Sequence, residues 1–354
     1  MDIDPAARVG YHAGMSRGRL SWCTVLVLGL AGACNSVPEG TGAAPPRPPV
    51  QAPSSTAASP TSAATPATPT ATRFEAPSLT HPAPKRLVAF GDVHGDLDAT
   101  RRALRLAGAI DAADRWIGGS LFVVQTGDQL DRGDDDRAIL DLFDRLREEA
   151  KSKGGTFLAL NGNHELMNAQ LDFRYVTAGA HSAFSGITVP PHPAITALPE
   201  PQRGRAAAFL PGGPYAKRLA ERPVIAIVGD SVFVHGGVLM KHLTYGLEKL
   251  DSETRAWLRG ERPEPPRAVT GSDGVVWLRD YSAQTGDREC AELTRVLDAL
   301  GAKRMVMGHT PQKPNISEAC GGRAVRIDTG MSRHYGGKVQ VFEIQGDKTR
   351  VLAE

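Results

Sequence analysis

The sequence lacks a charge excess of either sign. Its 41 Lys and Arg stand against 39 Asp and Glu, for a formal net charge of +2. Domains that hold nucleic acid through bulk charge carry a clear basic excess, so no nucleic-acid partner is expected. It also lacks an apolar run long enough to cross a bilayer, which argues against a transmembrane anchor. No repeat of solenoid period is visible, which excludes a stacked-repeat architecture. Cysteine is scarce, with four in the chain, at positions 23, 34, 290 and 320. What remains is 41% hydrophobic and 23% charged residues over 354 positions, an ordinary soluble globular composition.

Proline is unevenly spread, and this divides the chain into two unlike parts. Residues 15–34 read "MSRGRLSWCTVLVLGLAGAC". Arg17 and Arg19 form a positive end, and the apolar core after them is short, which is the pattern of a secretory signal peptide. The small residues before Cys34 resemble a bacterial lipobox, except that Ala31 stands where Leu is commoner and Leu30 lies one place early. The resemblance implies a signal over 1–34, with translation starting at Met1 or Met15, and a lipid on Cys34 as the only membrane attachment, the alternatives being plain cleavage or a buried helix. Export to the periplasm or anchoring in the outer membrane follows as the expected localisation. Residues 35–84 are rich in Pro, Ala, Ser and Thr and have few large apolar side chains, so a disordered, fairly stiff spacer is expected. Cys290 and Cys320 remain in the folded part. In an exported protein they are expected to pair, the alternative being two buried free thiols.

From residue 85 to 354 the pattern is that of one α/β domain. Apolar stretches that read as strands are "KRLVAF", "SLFVVQT", "TFLAL", "PVIAIVG", "SVFVHGG", "KRMVMGH", "RAVRIDTG" and "VQVFEI". Helical spacing appears in "LDATRRALRLAGA", in "DRAILDLFDRLREEAKSKG", and near 213–221 and 289–301. Strand–helix alternation followed by strand-rich stretches predicts an α/β sandwich with partly parallel sheets. Residues 171–222 are the least regular piece, rich in Pro and Gly, and read as an insertion that could cap the substrate side.

Polar residues recur where these strands end. "GDVHGD" supplies Asp92, His94 and Asp96; "GDQLDRG" supplies Asp128, Asp131 and Arg132; "GNHE" supplies Asn163 and His164. "HGG" supplies His235 and "GHT" supplies His309. Each alone has an ordinary reading: a turn, a helix cap, a satisfied buried histidine. Together they place Asp, Asn or His beside Gly at five strand ends, where ligands bind in α/β folds. Imidazole, carboxylate and amide oxygen suit Mn, Fe or Zn. Two such ions need a bridging carboxylate, and together they can polarise a phosphoryl group. Asp96 opens the helix that follows and reads as its N-cap or as a supporting group rather than a ligand.

These five stretches, in this order and spacing, resemble the calcineurin-like metallophosphoesterases, and within them the phosphoprotein phosphatase branch. "RIDTGMSRHYGG" is similar to the bacterial Shewanella-like phosphatases. The likeness covers about residues 86–345. It implies a four-layer α/β/β/α sandwich of two mixed sheets flanked by helices. It implies two divalent ions, one held by Asp92 and His94, the other by Asn163, His235 and His309, with Asp128 bridging. His164 would be the general acid, Asp131 its orienting carboxylate and Arg132 the phosphate clamp. Arg279 in "VVWLRDY" is the expected second phosphate arginine, a surface Arg being the ordinary reading. Tyr335 lies near where the family places a site tyrosine. Pro311 stands where many phosphodiesterases have a second His, so "GHTP" sides with phosphomonoesterases.

The expected activity is hydrolysis of phosphoserine, phosphothreonine, phosphotyrosine or a small phosphate ester, by in-line attack of a metal-bridging hydroxide. Two alternatives are a hydrolase of dinucleoside polyphosphates, like the symmetrical diadenosine tetraphosphatases, and a surface lipoprotein whose metal site only binds.

Overall fold

Leu87, Val88, Ala89 and Phe90 are all buried, which is why this stretch reads as an uninterrupted apolar run rather than an alternating one. Side chains alternate across a strand, so such a run needs a partner layer on each face. The computed structural model, which describes residues 78–354, supplies both layers. The expected signal, Cys34 and most of the expected spacer lie outside the described residues.

In chain order the elements are β1 (Thr80–His81), β2 (Leu87–Phe90), α1 (Leu97–Leu106), β3 (Phe122–Gln125), α2 (Asp136–Ser152), β4 (Thr156–Ala159) and α3 (Asn163–Ala169). Next come α4 (Ala178–Ser182), α5 (Pro193–Thr196), α6 (Glu200–Phe209), α7 (Pro214–Leu219), β5 (Ile225–Val228), β6 (Ser231–Val234), α8 (Met240–Tyr245) and α9 (Leu247–Leu258). The remainder are α10 (Arg267–Thr270), α11 (Asp287–Leu300), β7 (Arg304–Met307), β8 (Ser317–Ala319), β9 (Ala324–Arg326), β10 (Gln340–Gln345) and β11 (Lys348–Ala353).

One sheet runs β11-β10-β2-β3-β4 and the other β1-β5-β6-β7-β9-β8. The centre of each is parallel: β2 with β3 with β4, and β6 with β7 with β9. Leu87, Ala89, Phe122 and Val124 of the first sheet pack against Phe233, Val306 and Val325 of the second. The opposite face of the first, with Val88, Phe90 and Val123, is covered by Ala103 and Leu104 of α1 and Phe143 and Leu146 of α2. Val232, Val234, Met305 and Met307 of the second are covered by Leu293, Val296 and Leu297 of α11. This is the expected helix–sheet–sheet–helix order. The parallel strands point their C-terminal ends the same way, which gathers the loops that follow them.

Three expectations need correction. The spacer does not reach residue 84, because Thr80 and His81 pair with Ile227 and Val228 as a parallel edge strand. The segment 171–222 is not irregular: it holds four helices and a small core of Phe173, Ile195, Ala206 and Ala207. Its helices are short, and three of the four carry Pro in the first turn, which hides their period. The helix α9 was not expected, because its inward face carries Asp251, Thr254 and Arg255 alongside apolar residues. Asp251 and Arg255 satisfy each other there, so polar residues mask the apolar stripe. Cys290 and Cys320 form a disulfide with Cα atoms 5.2 Å apart.

Candidate metal centre

The polar side chains of the site lie one to seven residues past the ends of strands in the two parallel cores. β2 leads to Asp92 and His94, β3 to Asp128, Asp131 and Arg132, and β4 to Asn163 and His164 in the first turn of α3. From the facing sheet, β6 leads to His235 and β7 to His309. The loops turn abruptly. Among the described residues, eight non-glycine positions have positive φ, and five are here: His94 (42°), Asp128 (56°), Asp131 (72°), Arg132 (69°) and His309 (72°). Asp and His tolerate this region better than most residues, yet each such position stores roughly 1–3 kcal/mol of strain. Two glycines are required by close approach. A Cβ on Gly162 would fall 2.2 Å from Asp128 Oδ1, and one on Gly308 would fall 2.4 Å from Asp92 Oδ1.

The structure brings the six expected ligands together. Donor atoms of Asp128, His235 and His309 lie within 4.8 Å of one another, as do those of His94, Asp128 and His164, so Asp128 is common to both groups. His235 Nε2 is 2.9 Å from Asn163 Oδ1, 3.1 Å from Asp128 Oδ2 and 3.1 Å from His309 Nδ1. His94 Nε2 lies 3.9 Å from Asp92 Oδ2 and 3.8 Å from Asp128 Oδ2. All six are buried.

The far nitrogen of each imidazole shows which way its lone pair points. His94 Nδ1 is 3.1 Å from the Leu130 carbonyl and His235 Nδ1 is 2.9 Å from the Thr126 carbonyl. His309 Nε2 is 3.2 Å from the Trp277 carbonyl. A carbonyl accepts only, so each of these nitrogens carries a proton, and the other nitrogen of each ring is the one turned inward, where it can serve a metal. Two imidazole nitrogens that converge at 3.1 Å, beside the Asp128 carboxylate and the Asn163 amide oxygen, form a donor set that suits a cation. His164 differs. Its Nδ1 is 2.6 Å from Asp131 Oδ2, a carboxylate rather than a carbonyl.

The charges agree with this division. Burial, aided by the nearby His164, holds His94 down to about 3, and burial and His235 hold His309 well below the usual imidazole range. Both are neutral, as ligands must be. Burial also lowers His164, but Asp128 and Asp131 outweigh it and raise the group to about 9. Burial, with Asp328 and Asp128 as close neighbours, pushes Asp92 well above the ordinary carboxylate range.

Among the residues expected to act on substrate, Arg132 lays its guanidinium 3.9 Å from the Tyr175 ring centroid, and its buried Nε has no partner. Arg279 Nη1 donates to the His309 carbonyl at 3.0 Å and to Thr310 Oγ1 at 2.9 Å, which puts the guanidinium beside the centre. The ring of Tyr335 lies 5.3 Å from that of His94, and burial raises its phenol to about 12. Asp96 is a cap: its Oδ1 accepts from Ala99 N at 3.0 Å and its Oδ2 from Arg333 N at 2.7 Å. A cleft of about 500 Å³ beside His94 and Arg132 is lined by Thr177 of the 171–222 segment, Arg333 and His334.

Among the buried carboxylates that the sequence does not single out, Glu165 and Asp328 lie closest behind the ligand loops. Glu165 accepts from the amides of Asp128, Gln129, Leu130 and Gly162, at 2.8, 2.8, 3.2 and 2.7 Å, and so holds the β3 and β4 loops together. Its position directly after His164 in "GNHE" was the available signal. Asp328 follows β9, a sixth strand end, and its Oδ1 accepts from Gly330 N at 2.8 Å.

The family described as Calcineurin-like phosphoesterase matches residues 85–313. Shewanella-like protein phosphatase 2 of Arabidopsis thaliana is 42% identical over 310 residues, covering 78% of this chain and 77% of that one. Shewanella-like protein phosphatase 1 of Plasmodium berghei is 30% identical over 262 residues, covering 71% and 69%. Among solved structures, a cold-active protein tyrosine phosphatase of a psychrophilic Shewanella superposes with a TM-score of 0.65 at 22% identity, covering 78% and 83%. A Saccharomyces cerevisiae protein serine/threonine phosphatase gives 0.53 at 15% identity, covering 79% and 84%. At these identities the two structures support the fold alone.

Proposed function

Because this chain belongs to the calcineurin-like phosphoesterase family and is a metal-dependent phosphatase, we propose that it is a phosphomonoesterase of phosphorylated Ser, Thr or Tyr side chains or of small phosphate esters. The observation that carries this is the division among four clustered imidazoles. Three are tethered to carbonyls and turn their other nitrogen toward the centre, while His164 is tethered to a carboxylate and keeps a proton to give. The names of the two relatives, both protein phosphatases, support the phosphoprotein side.

Asp92, His94, Asp128, Asn163, His235 and His309 would hold two divalent ions, with Mn, Fe and Zn all fitting the donor set. When bound, such ions polarise the phosphoryl group and make a water nucleophilic near neutral pH. Arg132, steadied on Tyr175, offers its planar fork to the phosphate, with Arg279 as a second donor. As the bond from phosphorus to the leaving oxygen breaks, His164 Nε2 passes its proton to that oxygen. Asp131 keeps the ring in the right tautomer and supports its positive form.

The test is the metal-loaded chain on a panel of phosphopeptides, sugar phosphates, nucleotides and dinucleoside polyphosphates, with Mn, Zn and Fe in turn. Phosphopeptide turnover is expected to dominate. Preferential cleavage of dinucleoside polyphosphates would remove the protein-phosphatase reading, and metal binding without turnover would remove catalysis. We further propose export with a lipid on Cys34. The Cys290–Cys320 bridge supports an oxidising compartment. Mass spectrometry showing an unmodified Cys34 would remove the anchor.

A further inference from the structure

Asp131 is held from behind by a residue far away in sequence. Arg205, on α6 of the 171–222 segment, has no solvent exposure. Its Nη2 donates to Asp131 Oδ1 at 3.1 Å and to Asp136 Oδ2 at 2.5 Å. Its Nε donates to Asn168 Oδ1 at 2.7 Å, and its Nη1 to the Ala180 carbonyl at 3.1 Å. The guanidinium lies 5.1 and 5.2 Å from the ring centroids of Phe184 and Phe209. A buried cation with every face occupied is not a surface strut.

The hydrogen bonds have a direction. Asn168 Oδ1 accepts from Arg205, so its Nδ2 faces Asp131 Oδ1, to which it donates at 2.9 Å. Asp131 Oδ1 thus has two fixed donors, and its plane is set. The other oxygen, Oδ2, is left to His164 Nδ1 at 2.6 Å. Two carboxylates, Asp131 and Asp136, meet one guanidinium, which lies between them. Without Arg205, Asp131 would lose one of its two pins and face the Asp136 carboxylate unscreened.

We propose that Arg205 is a positioning residue for the leaving-group proton: through Asp131 it fixes the tautomer and aim of His164, so the 171–222 segment serves catalysis from behind the site. The inference rests on the reading of His164 as the general acid.

The experiment compares leaving groups. An acid matters most when the leaving oxygen is a poor one, and little when it leaves easily. In metal-loaded Arg205→Met, kcat on a phosphoserine peptide is expected to fall about 100-fold with KM within about twofold, while kcat on 2,4-dinitrophenyl phosphate falls no more than about threefold. Arg205→Lys keeps the charge but not the fork, and is expected to recover part of the phosphoserine rate. Arg255→Met, which removes another buried arginine, is the control for mere loss of packing and should show no leaving-group dependence. If Arg205→Met does not fold, Asn168→Ala carries the same test, since it removes the other pin on Asp131 Oδ1. An equal loss on both substrates, or no loss, would overturn the role of Arg205. His164→Asn is run alongside. If it shows no leaving-group dependence, the acid reading itself falls; if it does and Arg205→Met does not, only the present inference falls.

Discussion

His164 Nδ1 stands 2.6 Å from Asp131 Oδ2, while the far nitrogens of His94, His235 and His309 all rest on backbone carbonyls. One imidazole of the four is therefore backed by a negative charge and three by neutral carbonyls.

The first prediction concerns this pair. Asp131→Asn keeps the size of the side chain but can present its amide to His164 and favour the wrong tautomer. A loss in kcat of roughly 10²–10⁴-fold on phosphoserine peptides is expected, with metal content unchanged. Steady-state kinetics and metal analysis of the same preparation check it. Loss of metal together with activity would mean that Asp131 supports the ligands instead.

Metal removal should weaken the fold as well as the activity. Asp128 and Asn163 come from one sheet and His235 and His309 from the other, so an ion held by them ties the two sheets. At a free metal concentration about 100 times the dissociation constant, binding contributes about 2.7 kcal/mol. Scanning calorimetry with Mn and with a chelator should show a clear upward shift with metal. That shift should vanish in Asp128→Asn.

Glu165 offers a test away from the reacting atoms. One of its oxygens serves the Gln129 and Leu130 amides and the other those of Asp128 and Gly162. Glu165→Gln replaces an acceptor with an NH2 that faces two donors. A loss of about 2 kcal/mol in chemical denaturation is expected, with weaker metal binding because the Asp128 loop is released. Unchanged stability would show that the loops are held by other means.

His242 gives a pH dependence separate from the metal centre. The ring is buried, accepts from Leu239 N at 3.0 Å, and donates to the Asp273 carbonyl at 3.1 Å. Burial, then the charge of Lys241, holds it down to about 4. The unfolded chain therefore takes up this proton first as pH falls. The contribution is complete above about 6.5 and is lost as pH falls toward 4. In His242→Asn, which keeps an acceptor for Leu239 N, the melting temperature should fall less steeply over that window. Wild type should lose up to about 2 kcal/mol more than the variant. Parallel curves would refute the assignment.

The core and the cluster of candidate ligands were legible in the sequence because both obey local rules. Buried parallel strands read as apolar runs, and loops that turn sharply beside a ligand need Gly, so "GD", "GN", "HGG" and "GH" stood out at five strand ends. Arg205 was not legible, because in "EPQRGRAAAF" it looks like any arginine on a helix, and only the fold brings it to Asp131. Asp328 was hidden in the same way: its strand is three residues long and its neighbours carry no other ligand type. The edge strand β11 has one residue that is not exposed, so it lacked the apolar face by which strands are read.

The left-handed backbone at positions 94, 128, 131 and 309 also bears on how such a site can be lost. Asp, Asn, His and Gly sit in that region at small penalty, whereas a branched or large apolar residue would break the turn along with removing the donor. A gene copy drifting away from catalysis would thus pass most easily through Asn or Gly at these positions. It would keep its backbone trace and much of its stability, and lose only the oxygen or nitrogen atoms that would face the ions or, at position 131, the oxygen that holds His164. An inactive descendant would then superpose on the active enzyme almost perfectly and be told apart by the chemistry of four side chains.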